Sequence, residues 1–123
     1  MLKIKNNIIS TSDTNTYYSK PLSMRNSSDG SFHLVWTGST PVITETVWAT
    51  NDPSAAGLVG AAGDTGWTDV SALIAAVDVT GNSGSGFVII SGVDGVFDYV
   101  RLKFVNGSGT GVITINASTK DYS

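Results

Sequence analysis

One imidazole, no thiol and ten carboxyl groups limit the chemistry open to this chain. The imidazole is His33; the acids are Asp13, Asp29, Glu45, Asp52, Asp64, Asp69, Asp78, Asp94, Asp98 and Asp121. Acyl transfer by a Ser-His-Asp set needs the histidine beside a serine held on a strained turn with backbone donors. No G-x-S-x-G string is present, and Ser83, Ser85 and Ser108 sit among loop glycines instead. His33 reads as a surface or interface residue in the middle of a strand. Glycoside hydrolysis needs two carboxyl groups facing one another across a sugar, and no spacing among the ten selects such a pair. A calcium loop needs clustered, alternating oxygen ligands; Asp94-Gly95 with Asp98 reads as turn chemistry. Thiolate and multi-histidine metal sites are excluded by composition. The strings GNSGSG (81–86) and NGSGTG (106–111) invite a phosphate-cradle reading. Such a cradle opens a helix and carries a lysine. These strings do neither, so they read as linker and hairpin glycines. The expectation is a protein that is not an enzyme and uses no metal and no cofactor.

Binding chemistry is better represented. Trp48 and Trp67 offer flat aromatic faces of the kind that stack on pyranose rings. Asn51, Asp52 and Asp69 stand beside them in sequence with groups that hydrogen-bond to hydroxyls. These five are the candidate partner- or glycan-binding residues, with Tyr17, Tyr18 and Tyr99 as further aromatic neighbours. Trp67 follows a glycine-rich loop and precedes Thr68-Asp69, which predicts a half-exposed ring.

Period-two alternation governs the elements that must hold these residues. Residues 31–37 (SFHLVWT) place Phe32, Leu34 and Trp36 on one face. Residues 42–50 (VITETVWAT) place Ile43, Val47 and Ala49 on one face and Val42 and Trp48 on the other. The intervening GSTP (38–41) reads as a turn, making a hairpin. Residues 97–105 (FDYVRLKFV) turn Val100, Leu102 and Phe104 inward and Phe97, Tyr99, Arg101 and Lys103 outward. NGSGTG joins them in a second hairpin to GVITINAS (111–118). FVIIS (87–91) is a short strand reached through a flexible connection over 81–86. Residues 71–77 (SALIAAV) span only about two helical turns, with Asp69 or Ser71 as a cap, and read as a loop segment or a single helical turn. Residues 51–66 read as a long loop with a bend at Leu58 and Val59. The fold class is all-β: an antiparallel two-sheet β-sandwich, jelly-roll or immunoglobulin-like, of seven or eight strands with little helix. Trp36, Trp48, Phe87, Leu102 and Phe104 are the large core candidates. One domain of 123 residues is expected, with residues 1–30 as an N-terminal strand or arm and 31–123 as the sandwich.

Charge and composition narrow the partners. Seven Lys and Arg against ten Asp and Glu give a net charge of -3, too few cations for a nucleic-acid stripe. Charged residues make up 14% of the chain, against about 25% in ordinary domains. Sixteen serines, fourteen threonines, eight asparagines and fourteen glycines must cover the surface instead. Such a surface repels neighbours weakly and loses little solvation when another protein docks. No apolar run approaches the ~18 residues that span a bilayer, so no membrane contact is expected. MLKIKNNII (1–9) has no apolar stretch or cleavage site of the export type.

Three strings carry a resemblance: VWATNDP (47–53), GWTDV (66–70) and YVRLKFVNGSGTG (99–111). In this order the chain resembles small β-sandwich virion proteins of bacterial viruses, including capsid decoration (cement) proteins and tail or spike accessory domains. The resemblance implies a virion structural protein, made in the host cytoplasm and bound to the major capsid protein or other virion proteins. It would stabilise the shell by bridging coat subunits, as a homo-oligomer with a trimer favoured at local three-fold positions. The alternative is a carbohydrate- or receptor-binding module of a tail or spike, since strings of this type also occur in discoidin-like and other carbohydrate-binding sandwiches.

Overall fold

Alternating apolar and polar residues form strands over most of the chain. The computed structural model describes residues 2–5, 8–10, 16–56, 64–92 and 96–121. In chain order the elements are β1 (Leu2–Lys5), β2 (Ile8–Ser10), β3 (Thr16–Ser19), β4 (Leu22–Ser23), β5 (Ser27–Thr50), α1 (Pro53–Ala56), β6 (Thr68–Asp69), β7 (Val79–Thr80), β8 (Ser83–Ser91) and β9 (Tyr99–Asp121). The nine strands share one hydrogen-bonded ladder built on the long antiparallel pair β5 and β9. β8 flanks the first half of β5, and β1 runs parallel to the last half of β9. β6 and β7 flank the second half of β5, while β3 and β4 flank the first half of β9. Phe32, Leu34, Trp36, Val88, Ile90, Ile113 and Ile115 from one half meet Ile43, Val47, Val100, Leu102 and Phe104 from the other in a single core. Each large side chain so buried contributes about 1.5–3 kcal/mol. The result is the expected β-sandwich, antiparallel except for β1 on β9.

The two expected hairpins are absent. GSTP (38–41) and NGSGTG (106–111) face each other across one ladder, with Gly38 opposite Gly111 and Ser39 opposite Thr110. Both long strands turn a corner together, and the register shifts between Ser39 and Ile43. Gly109 has φ +75°, and a Cβ there would lie 2.3 Å from the Thr40 carbonyl oxygen. Glycine serves a hairpin turn and a sheet corner for the same reason, close backbone approach. Local sequence therefore does not separate the two.

The connection expected over 81–86 is also partly strand, since β8 begins at Ser83. Its glycines make room for packing: a Cβ on Gly84 would lie 2.4 Å from the Trp36 indole, and one on Gly86 2.7 Å from Val77. Two core candidates fall elsewhere. Phe87 is 54% exposed because Val88 and Ile90 take the inward phase of an unbroken apolar run. Trp48 is half-buried on the outer face. Residues 71–74 form one turn, with Leu73 and Ile74 donating to the Val70 carbonyl and Asp69 Oδ1 accepting the Ser71 amide at 2.8 Å. Within residues 1–30, β1 to β4 add strands to the sheet, Tyr18 and Met24 are buried, and β5 runs unbroken through residue 30. Leu58, Val59, Asp13 and Asp94 lie outside the described residues.

Candidate functional site

The inward turn of Val100, Leu102 and Phe104 sends Arg101 and Lys103 to the outer face of the sheet. Register then sets Trp48 opposite Arg101, and both Thr46 and Tyr18 opposite Lys103. Cations on a sheet face are ordinarily solvated. Here residues 64–67 lie over them, and Arg101 is 1% exposed. Its guanidinium carbon sits 4.2 Å from the Tyr18 ring centre and 4.3 Å from that of Trp67. Lys103 Nζ sits 4.9 Å from the Trp48 ring centre. Asp64 joins the group: Oδ1 accepts the Tyr18 hydroxyl at 3.0 Å, and Oδ2 takes Lys103 Nζ at 2.7 Å. Asp64 Oδ1 also lies 3.7 Å from Arg101 Nη2. Burial pulls the Arg101 pKa below its ordinary value, and the Tyr18 and Asp64 oxygens push it back up. Arginine keeps its charge under such conditions, so each aromatic face gains a cation–π contact of about 0.5–2 kcal/mol. Trp67 Nε1 donates to the Ala55 carbonyl at 3.2 Å, tying α1 to the same group.

Gly66 and Thr68, on either side of Trp67 in sequence, line a cleft of about 490 Å³ at the end of β5. Its polar lining is Thr50, Asn51, Asp52 and Thr68; its apolar lining is Ala49, Val70 and Phe97. Gly66 completes the wall at φ +82°, where a Cβ would lie 2.7 Å from that of Ala55. Local hydrogen bonds hold the polar groups in place. Asp52 Oδ1 accepts the Ser54 amide at 2.9 Å and starts α1. Thr50 Oγ1 accepts the Asp52 amide at 3.0 Å. Asn51 Oδ1 accepts the Asp98 amide at 2.8 Å and so holds Phe97 at the cleft.

Of the five residues singled out from sequence, the structure brings Asn51 and Asp52 together in the cleft. Trp48 lies outside it, donating Nε1 to Thr46 Oγ1 at 2.8 Å. Asp69 is exposed and occupied with the Ser71 amide. Trp67 is 6% exposed rather than half exposed, because Arg101 covers its ring. It therefore offers no stacking face, and its sequence neighbours Gly66 and Thr68 line the cleft in its place. Sequence reasoning missed Phe97, Thr50 and Thr68. Phe97 continues the alternation of residues 97–105, but the strand begins at Tyr99 and leaves Phe97 outside it. The Asn51–Asp98 hydrogen bond that places it spans 47 residues and leaves no local signal.

The remaining reactive groups stand apart from this cleft. His33 stacks on Phe87, ring centres 4.2 Å apart and planes within 6°. The Glu45 carboxyl is 1% exposed on the core side of β5. Its Oε1 accepts the Val77 amide at 3.3 Å, and Oε2 has no hydrogen-bond partner among the described residues. Burial, with lesser contributions from Asp78 and Asp69, raises its pKa to about 8 against the lowering effect of the Val77 hydrogen bond. Among the described residues, no three His, Asp or Glu side chains stand close enough to hold a metal ion.

No protein-family model matches the chain, and no curated protein does. A solved structure described as "CBM4 structure and function", a carbohydrate-binding module, is similar with a TM-score of 0.50 at 14% sequence identity. The match covers 85% of this chain and 61% of that one, so the chain spans less than two thirds of its neighbour's length. At this identity the likeness shows a shared β-sandwich fold.

Proposed function

We propose that this protein is a non-catalytic binding module for a neutral glycan and that the cleft at the end of β5 is its site. The observation that carries the reading is the cleft's mixed lining. An amide (Asn51), a carboxylate (Asp52) and two hydroxyls (Thr50, Thr68) share the lining with Phe97, Val70 and Ala49. A sugar ring has a rim of hydroxyls and faces of C–H groups, and this lining matches both. Asp52 disfavours acidic sugars by like-charge repulsion. Glycosidic cleavage calls for a second carboxyl across the site, whereas among the described residues Asp52 is the one acid in the lining. The shared fold with a carbohydrate-binding module supports the reading. A glycan array probed with the full chain, followed by calorimetric titration of the strongest hit, tests it. Phe97→Ala and Asn51→Ala should each weaken binding at least ~10-fold, the loss of one good contact. Silence across the array overturns the reading.

A second reading is assembly into the shell of a bacterial virus against its major capsid protein. It draws on the charge-poor surface and on Val42, Leu73, Val96 and Val105, which stand exposed on it. Stoichiometric binding of the purified chain to undecorated shells would support it, and no binding would end it.

A further inference from the structure

β8 (Ser83–Ser91) is paired to β5 along one side through nine consecutive residues with no register shift. Among the described residues no strand pairs with its other side. Edge strands in monomers are ordinarily guarded by lysine, proline, a bulge or brevity, because their open N–H and C=O groups template pairing with another chain. β8 has none of these guards. SGSGFVIIS carries no charge and no proline, and its outward side chains include Phe87 at 54% and Ile89 at 64% exposure. His33 stacks on Phe87 and Val35 stands exposed one strand further in, so the apolar outer surface continues across β5.

We propose that β8 pairs antiparallel with β8 of a second copy of this chain, about a two-fold axis through Phe87. Phe87 is the midpoint of the strand, so this register alone pairs all nine residues. It sets Phe87 against its symmetry mate, Ile89 against Ser85 and Ser91 against Ser83, with no like charges opposed. A foreign strand would find nothing on β8 for a charge to recognise, whereas the strand's own sequence answers itself, bulky half to small half. An antiparallel ladder of this length supplies roughly 8–10 backbone hydrogen bonds, the number in a standard protein interface. The strip is about 30 Å long and about 10 Å deep. That buries roughly 300 Å² on each copy, about 600 Å² in total, which is the scale of a weak, transient contact and makes the dimer strongly concentration-dependent. No β8 residue lines the cleft, so the proposal stands apart from glycan binding.

Sedimentation velocity of the full chain over a range of concentrations tests the proposal. The expected species is a dimer of twice 12.8 kDa, reduced to monomer by Ser85→Lys and by Ile89→Lys. A wild-type chain that stays monomeric at ~100 μM, a trimer, or a dimer that survives both lysines overturns it. Absence of cysteine gives a second test that does not depend on the lysine variants folding. Opposed Cα atoms in an antiparallel pair are about 4.5–5.5 Å apart, within disulfide reach. Phe87→Cys should therefore cross-link to a dimer on oxidation. Ile89→Cys should not, its mate lying four residues or about 13 Å along the strand. Equal cross-linking of both, or of neither, rejects the register.

Discussion

A carboxyl placed between Ile43 and Val47 faces the same core as they do, and this sets the chemistry of Glu45. With its pKa raised to about 8 by burial, the folded protein holds a proton that the unfolded chain releases near pH 4.5. The folded state then binds more protons than the unfolded state between those values, so stability falls as pH rises. Relative to Glu45→Gln, the wild type should lose a few kcal/mol from pH 5 to pH 9, most of it before pH 8. Urea unfolding of both proteins across that range measures the difference, and parallel profiles would show that the proton is absent. Glu45 shares the phase of Ile43 and Val47 in an alternating strand, yet nothing near it in sequence marks it out among the ten acids. Its neutral form depends on residues 77 and 78 closing over it, 32 and 33 positions away.

At the scale of elements, glycines mark where backbones or bulky side chains come together. Gly109 holds the corner of β9 against β5 at a positive φ, within reach of the Thr40 carbonyl. Gly109→Ala should cost at least ~2 kcal/mol from strain and overlap combined. Gly84 keeps β8 against the Trp36 indole, whose Nε1 donates to the Thr80 carbonyl at 3.2 Å. Gly84→Ala should cost about 1–3 kcal/mol. In both cases the urea midpoint should fall with little change in the slope of the transition. A control at Gly81, where a Cβ would meet only Ser83 at 3.9 Å, separates φ from crowding, since its φ is +82°. Gly81→Ala should show the conformational cost alone, about 1–2 kcal/mol.

Across the whole molecule, the Arg101 cluster joins parts that are remote in sequence: Tyr18 from β3, Trp48 from β5, Asp64 and Trp67 from the covering segment, and Lys103 beside it on β9. Arg101→Ala would leave the Tyr18 and Trp67 rings without the side chain that fills the space between them, at about 2–5 kcal/mol, while Asp64 keeps Lys103 and the Tyr18 hydroxyl. Arg101→Met keeps much of the volume and should cost less. If the cluster supports the cleft wall, hydrogen exchange at residues 66–68 should speed up more in Arg101→Ala than exchange in β8. Uniform acceleration would show that the wall has no separate dependence on it. The alternation of the sequence determined the strand character of residues 31–37, 42–50, 87–91 and 111–118, and the inward phase of Phe32, Leu34, Trp36, Leu102 and Phe104, because each rests on neighbours one to four residues apart. Tertiary structure decided the rest. Whether GSTP and NGSGTG make turns or a shared corner, whether Trp67 is open or covered, and which residue completes the cleft all depend on what the chain sets opposite them from dozens of positions away, and periodicity carries no record of that distance.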